Sequence, residues 1–294
     1  MTLEELYCFV DDFCKIFIPE WKKYLLSRGT RQRDRDGKLC ISEIMCIFLL
    51  FQSSGYRDFK HFYLQEVLQG KLRNAFPHAV SYTRFVALIS RILIPLCVFL
   101  QFNLADFDGL GFIDSTPIAV CHNKRISSHK VFYGSAKLGK TTKGWFFGFK
   151  LHLICNSQGD LCSVQITPGN CNDLMPVEKM TIDMIGKLFG DKGYIDKELF
   201  EFLFNRGLQL ITGIRKNMKN KLLSVVDKLL LRKRSVIEST NNQLKNVFHL
   251  EHSRHRSAFN GFANILSTVI AYIFHSNKAK LKFSEQDRRT LMAA

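Results

Sequence analysis

The apolar residues of this chain change their spacing at Gly111, and that change constrains the fold more than any other feature. Before it they recur at helical intervals, as Phe9, Phe13, Phe17 and Trp21 do. From Gly111 onward, short runs rich in β-branched and aromatic residues alternate with helix-like segments. The pattern predicts an all-helical N-terminal domain over residues 1–105, followed by a mixed α/β domain over residues 106–294 that ends in a helical extension.

The N-terminal domain has the pattern of several helices joined by basic connections. Helical spacing covers Ile41–Phe51, Phe59–Gln69 and Thr83–Leu100, and the polar, basic stretch Arg28–Lys38 is expected to be a loop. Pro19 is expected to mark a break or a new first turn, because proline removes a backbone donor and crowds the preceding helical turn. These helices could form a helix-turn-helix-like DNA-binding module or a packing platform without DNA contact, and the pattern leaves both open.

The α/β domain begins with the strand-like run GFIDSTPIAV, whose Pro117 is expected to close the strand or to lie at a sheet edge. A hairpin follows, with two β-rich runs around the turn Asn156–Asp160. Asn172–Leu188 has a helical pattern. Asp196 is the predicted N-cap of the next helix, and Gly207 lies at its far end, where a positive φ is required.

The net charge of +16 points to a polyanionic partner, and nucleic acid is the commonest of these. The apolar stretches Leu39–Gln52 and Phe85–Phe102 are interrupted by Glu43 and Arg91, so no membrane span is expected. The N-terminus is acidic and lacks the basic start of a signal peptide. The nine cysteines are scattered and form no Cys-x-x-Cys pair, which predicts an intracellular protein without disulfides or a zinc site.

Three acidic residues are distinguished by their context. Asp114 follows an apolar run on the first strand of the α/β domain, Asp191 ends a later strand, and Glu238 lies near the start of the helix SVIESTNNQLKNVFHL. Residues at the ends of neighbouring strands converge on one sheet edge, and a helix beside that edge can add a third carboxylate. Such a cluster of oxygen ligands suits two Mg²⁺ or Mn²⁺ ions, which support phosphodiester chemistry.

Each of the three also has a purely structural interpretation. Asp114 could initiate a turn before Ser-Thr-Pro, and Asp191 could be an ordinary loop residue beside glycine. Ser235 and Glu238 have the spacing of a capping box. The sequence favours the metal site because all three carboxylates occur together.

The helix around Glu238 adds a basic stripe. At about 100° per residue, Glu238 lies about 40° and Lys245 about 20° from Arg234 around the helix axis. Two cations beside a metal-binding carboxylate suit a site that must also dock a phosphate backbone. The alternative is an exposed Arg234–Glu238 ion pair, worth only about 0.3–0.5 kcal/mol.

These motifs resemble those of bacterial insertion-sequence transposases of the DDE class. IDSTP resembles the first motif of that family and GDKGY the second. Arg234, Glu238 and Lys245 match the third, Tyr-(2)-Arg-(3)-Glu-(6)-Lys, in which Leu231 stands at the Tyr position. The resemblance extends over roughly Gly111–Ser257.

The resemblance implies an RNase H-like catalytic domain, a mixed sheet flanked by helices. It also implies that Asp114, Asp191 and Glu238 bind two Mg²⁺ or Mn²⁺ ions. The implied activity is cleavage at the terminal inverted repeats of the element and strand transfer into target DNA. A homodimer in a synaptic complex is implied, acting in the bacterial cytoplasm in association with the nucleoid. The alternatives are a catalytically inactive, transposase-derived DNA-binding protein and an RNase H-fold nuclease that cuts without joining.

The remaining candidates for DNA contact are basic residues near the three carboxylates. Several lie on the glycine-containing stretch after the first aspartate, and others lie beside Asp191 or in the basic linker before the Glu238 helix. The predicted DNA-binding residues are Arg234, Lys245, Lys124, Arg125, Lys137, Lys140, Lys143, Lys192, Arg215 and Lys216.

Overall fold

A computed structural model of the chain describes residues 2–29, 37–142, 144–214, 223–251 and 255–292, with side chains up to residue 289. Tertiary contacts divide the chain into two units, Met1–Asn103 with Leu244–Ser276, and Leu104–Gln243 with Asn277–Ala294. The predicted limits of 1–105 and 106–294 stay predictions. By contacts, the second unit begins at Leu104, and Leu244–Ser276 groups with the N-terminal helices.

The helices and strands follow one another in the order expected of a helical region and then an α/β region. The helices are α1 Leu3–Ser27, α2 Ile41–Ser53, α3 Phe59–Phe62, α4 Tyr82–Leu88, α5 Leu93–Phe102, α6 Val177–Met180, α7 Lys197–Asn205, α8 Val225–Arg232, α9 Ser235–Asn246, α10 Ala258–Ile273 and α11 Glu285–Met292. The strands are β1 Leu110–Cys121, β2 Lys137–Thr141, β3 Gly144–Asn156, β4 Leu161–Pro168, β5 Gly186–Gly190 and β6 Leu208–Thr212.

Helix α1 is continuous through Pro19, so the predicted break is wrong. The helix begins with a capping box, in which the Thr2 hydroxyl accepts from the Glu5 amide at 3.2 Å and the Glu5 carboxylate accepts from the Thr2 amide at 2.7 Å. Phe17 stacks on Phe13 and on Trp21, at ring-centroid distances of 5.2 and 6.1 Å. This row of rings spans the turn that contains the proline and stabilises the helix where one backbone hydrogen bond is lost.

The core of the first unit is built around α10, which packs against α2 and α5. Eleven of the twelve positions 261–272 of α10 are buried, so this helix needs partners on all sides. This requirement explains why the segment Leu244–Ser276 groups with the N-terminal helices. The predicted helices around Ile41–Phe51, Phe59–Gln69 and Thr83–Leu100 are confirmed, and the second continues from α3 as a π-helix, Tyr63–Leu68.

Tyr82–Phe102 forms one helical run of 21 residues that is long and apolar enough to cross a membrane. The core helix of a water-soluble protein has the same length and composition, and 44% of an 18-residue apolar segment of this helix is buried inside the protein. Arg91, which was expected to interrupt the apolar stretch, lies within the helical run and leaves it apolar enough to span. That the chain lacks a membrane span therefore stays a prediction.

A mixed sheet forms the centre of the second unit. Within the described residues it has six strands, ordered β2-β3-β1-β5-β6, with β4 paired to β3. Strand β1 pairs antiparallel with β3 and parallel with β5, and β5 pairs parallel with β6. The predicted hairpin is β3 and β4, with the Asn156 amide donating to Asp160 O across the turn. Strand β1 is thus the centre of the sheet and carries Asp114.

Pro117 does not close its strand, because β1 continues to Cys121. The prediction that it lies at an edge is closer to the structure. Pairing of β1 with β5 extends only from Leu110 to Phe112, so, among the described residues, Pro117 is paired on one side alone, with Lys150 of β3. A residue without an amide hydrogen is tolerated where no strand lies on its other side.

The predicted helix Asn172–Leu188 is wrong over most of its length. Only Val177–Met180 is helical, and Gly186–Gly190 is a strand. Gly186 has φ +127°, which stops a helix, and Leu188 and Phe189 then pair with Gly111 and Phe112 of β1. Pairing with a distant strand thus overrides the local helical spacing.

Helices cover both faces of the sheet. On one face, Ile113 and Leu188 pack with Leu199 and Leu203 of α7 in a buried cluster. On the opposite face, Lys187 of β5 pairs with Asp227 of α8 at 2.6 Å. The predicted caps of α7 are confirmed: the Asp196 carboxylate accepts from the Leu199 amide at 2.8 Å, and Gly207 has φ +85°.

Candidate active site

Asp114 and Asp191 occupy matching positions on two neighbouring parallel strands. Phe112 of β1 is in register with Phe189 of β5, and their rings lie 5.8 Å apart on one face of the sheet. Side chains alternate between faces with a period of two residues. Extending each strand by two residues therefore brings Asp114 and Asp191 to the same face, at the same end of the strand pair.

Asp191 follows the last residue of β5 and turns the chain. Its carboxylate accepts a hydrogen bond from the Gly193 amide at 2.7 Å, which begins a short 3₁₀ turn, Lys192–Tyr194. The structural interpretation of Asp191 as a turn residue is thus correct in part. Only one carboxylate oxygen is used in this bond, so the other retains its capacity to bind a ligand.

The Asp114 carboxylate lies in a half-buried, electrostatically crowded position. Burial raises its pKa to about 6, and the negative charge of Asp191 adds to the rise. The Arg234 guanidinium opposes it, as do hydrogen bonds from the Ser115 amide and the Asn241 side chain. A carboxyl group whose pKa is raised by burial and by a neighbouring carboxylate is characteristic of a site built to receive positive charge.

Glu238 lies in the first turn of α9 and contacts Arg234. Arg234 Nη2 donates to Glu238 Oε1 at 2.7 Å, and Arg234 Nη1 lies 4.0 Å from Asp114 Oδ1. The Arg234 guanidinium therefore lies between the two carboxylates. The Glu238 side chain is 55% exposed, so the ion pair by itself stabilises the protein only weakly.

Asn241 is a site residue that the sequence argument missed. Its amide nitrogen donates to Asp114 Oδ2 at 3.0 Å, and this bond attaches α9 to the end of β1. Asn241 lies about −20° from Arg234 around the helix axis, within the stripe of Arg234, Glu238 and Lys245. Asn241 could have been found from its position in this stripe, but only the charged residues of the stripe were predicted as site residues.

The oxygen atoms of this site are of the chemical type that binds a hard divalent ion. Among the described residues, no three His, Cys, Asp or Glu side chains converge to hold a metal ion, and Glu238 is paired with Arg234. However, Asn241 Oδ1 is buried and has no hydrogen-bond partner among the described residues. An unsatisfied carbonyl oxygen beside two carboxylates supplies the oxygen ligands that Mg²⁺ and Mn²⁺ prefer.

The predicted DNA-contact residues that are described lie mostly on the surface. Lys124 and Arg125 are exposed in the turn Asn123–Arg125. Lys137 and Lys140 are exposed on β2, with Lys140 Nζ 5.5 Å from the centre of the Trp145 ring. Lys192 is exposed directly after Asp191.

Four other predicted DNA-contact residues lie either in the first unit or outside the described residues. Lys245 lies in the other unit, where it pairs with Glu251 at 3.2 Å. Three of the predicted contacts fall outside the described residues, namely Lys143, Arg215 and Lys216. Leu231, at the family's Tyr position, is half-buried on α8.

A second polar cluster lies on the opposite face of the sheet. Lys150 Nζ donates to Asp173 Oδ1 at 3.0 Å and to Cys171 O at 2.8 Å. His152 is fully buried, and its Nε2 bonds to the Thr167 hydroxyl at 2.8 Å. Burial lowers the pKa of His152 to about 4, although the Asp173 carboxylate partly opposes this. His152 is therefore a neutral core histidine.

The buried His152 is expected to make the second unit sensitive to acid. Its pKa in the folded chain is below the unfolded value of about 6.5, so the stabilisation is present above that pH and is lost as the pH falls towards 4. For this shift, linkage predicts a loss of about 2 kcal/mol in unfolding free energy between pH 7 and pH 5.

Urea unfolding at pH 7 and at pH 5 measures this loss. The His152→Gln variant is expected to show a smaller difference between the two pH values than the wild type, whatever its absolute stability. His78→Gln, at an exposed position, serves as the control and should keep the wild-type difference. An unchanged difference in His152→Gln would show that other groups cause the acid sensitivity.

The comparisons with known proteins agree with this geometry. Residues 104–258, more than half of the chain, match the family model described as a transposase DDE domain. Neither the curated proteins nor the solved structures contain a match. The observed mixed sheet flanked by helices, preceded by a helical region, confirms the predicted RNase H-like α/β class. The chain therefore belongs to the DDE-class transposases, a family of nucleic-acid-cleaving enzymes that act on DNA.

Proposed function

We propose that this chain is the transposase of a bacterial insertion sequence. It cleaves DNA at the ends of the element with Mg²⁺ or Mn²⁺ and joins the freed ends to target DNA. One observation carries the proposal: Asp114 and Asp191 share one face at the ends of adjacent strands, and α9, which carries Glu238, is hydrogen-bonded to Asp114 through Asn241.

The three carboxylates have distinct tasks in this proposal. Asp114 and Asp191 would hold the divalent ions, Glu238 would complete the ligand set, and Asn241 orients the Asp114 carboxylate. Two such ions, when bound, activate the attacking oxygen and stabilise the leaving oxygen of the phosphodiester. The attacking group is water in the cleavage step, and it is the liberated 3′-hydroxyl in strand transfer.

Arg234 supplies positive charge where the carboxylates meet. Its guanidinium contacts Glu238 and lies 4.0 Å from Asp114, so it reduces the repulsion between these groups before ions bind. When ions occupy the carboxylates, the guanidinium is free to contact a DNA phosphate, for which its planar fork is suited.

The exposed lysines and arginines around this face would hold the DNA backbone. Phosphate contacts of this kind position a duplex without reading its sequence, and they weaken as salt rises. A homodimer would bind the two terminal inverted repeats in one complex in the bacterial cytoplasm. An inactive DNA-binding descendant and a nuclease without joining activity are the alternatives.

Incubating the full chain with DNA that carries both ends of its element tests the function. We expect cleavage at the ends and joined products with Mg²⁺ or Mn²⁺, and neither with EDTA. A duplex of unrelated sequence serves as the control and should remain uncut. End binding without cleavage would establish the DNA-binding alternative, and cleavage without joining would establish the nuclease.

A further inference from the structure

The first unit contains a large cavity lined by aromatic rings. Its volume is about 1050 Å³, and its walls include four half-buried rings, those of Phe51, Tyr56, Phe59 and Tyr82. We call it the aromatic cavity. This volume is at the upper end of the range found for small-molecule binding sites.

The rings are held in place by other rings. Phe59 lies between Phe51 and Tyr82, at centroid distances of 5.2 and 6.3 Å, and 5.4 Å from the buried Phe85. Tyr56 packs on Phe62 at 5.7 Å. The walls are therefore preorganised for stacking, and a ligand that stacks on them need not order them first.

Exposed basic side chains line the opening, or mouth, of the aromatic cavity. Arg57, Lys60 and Arg256 line it and are exposed, and Lys60 Nζ lies 6.0 Å from the centre of the Tyr82 ring. Two carboxylates also line the cavity, Asp58, which caps α3, and Glu251, which pairs with Lys245, so the three cations outnumber them. The mouth therefore attracts anions.

The interior also offers a polar atom without a partner. His255 Nε2 is buried and forms no hydrogen bond with any described residue. Burial lowers the pKa of His255 to about 4, so its ring is neutral at pH 7. The neighbouring amides Gln52 and Asn264 are satisfied by each other, at 2.9 Å. The His255 ring lines the cavity, but because Nε2 has almost no accessible surface, a ligand reaches that atom only if the ring turns.

We infer that the aromatic cavity binds unpaired nucleotides of DNA. Bases stack on the rings, and phosphates contact the cations. Base pairs within a duplex are stacked on both faces, so only an unpaired base can use these walls. The inference rests on the proposed function, because it names the form of DNA that this unit takes.

Fluorescence anisotropy with a labelled 20-nucleotide single strand and its matched duplex tests the inference on the full chain. Tyr82→Leu is expected to weaken single-strand binding about tenfold, the effect of one lost stacking contact, and to change duplex binding less than twofold. Lys60→Gln should also weaken single-strand binding more than duplex binding.

Two matched controls accompany these variants. Tyr24→Leu removes a half-exposed ring of the same unit that lies outside the cavity, and Lys71→Gln removes an exposed lysine outside it. Both should retain wild-type preference for single-strand over duplex. Circular dichroism checks the folding of Tyr82→Leu. If that variant is unfolded, single-strand binding by the Lys60→Gln variant, which changes an exposed residue, tests the inference.

The inference is overturned if Tyr82→Leu and Lys60→Gln leave single-strand binding unchanged, or if they weaken single-strand and duplex binding equally. This failure is distinguishable from failure of the proposed function. Metal-dependent cleavage by the wild type can persist when the cavity variants have no effect, and single-strand binding can persist when no cleavage occurs.

Discussion

Glu238→Gln is expected to lower metal-dependent DNA cleavage by roughly a hundredfold or more, while folding and DNA binding persist. Glutamine keeps the size and helix propensity of glutamate but removes one anionic metal ligand. Because Glu238 is more than half exposed, the loss of its pair with Arg234 costs the fold little. The measurement is the single-turnover rate with Mg²⁺ or Mn²⁺ on DNA that carries the element ends.

Glu201→Gln is the matched control. Glu201 is 61% exposed on α7 and pairs with Lys197 four residues earlier, which is the same arrangement as Glu238 with Arg234. The control should cleave at the wild-type rate. Equal cleavage by Glu238→Gln and the wild type would mean that Glu238 serves only in an ion pair on its helix, and the third ligand would have to lie elsewhere.

Gly148→Ala is expected to destabilise the second unit by about 3 kcal/mol, near the upper end for overpacking. Gly148 of β3 lies opposite Ala119 of β1. A methyl group there would lie 1.9 Å from Ile118 O and 3.2 Å from Ala119 Cα, both backbone atoms that cannot rotate away. The two central strands must separate to admit it, and β1 also carries Asp114.

Urea unfolding of both proteins measures this effect. Gly37→Ala is the control, since a methyl group at Gly37 would find its nearest neighbour at an ordinary 3.5 Å. It should unfold within about 1 kcal/mol of the wild type. If Gly148→Ala is as stable as Gly37→Ala, β1 and β3 can separate at this point without cost, and the close approach does not constrain the sheet.

Local chemistry explains which elements were predictable. Asp196 and Gly207 mark the ends of α7 because a side-chain acceptor and a positive φ are requirements of the helix termini themselves. The hairpin β3–β4 joins neighbouring segments across a short turn. The strand ends at Asp114 and Asp191 were visible because each apolar run stops at a polar residue.

The incorrect predictions concern segments whose partners are distant in sequence. Residues 186–188 were predicted as the end of a helix, yet they belong to β5 because β1, more than seventy residues earlier, offers backbone hydrogen bonds. Pro19 remains within α1 because a row of rings stabilises that turn. Spacing reports the preference of a segment for its own conformation, and packing against other segments can exceed that preference.

The sequence by itself determined the class of fold and the family, and it singled out the three candidate carboxylates, because these depend on residue types at short, regular spacings. Only the tertiary structure decided how the carboxylates meet. It places Asp114 and Asp191 on one face, Arg234 between Asp114 and Glu238, and Asn241 on Asp114 across 127 positions of chain. The aromatic cavity likewise joins α2–α4 to residues around His255. Such contacts depend on which surfaces pack together, and no local pattern encodes that choice.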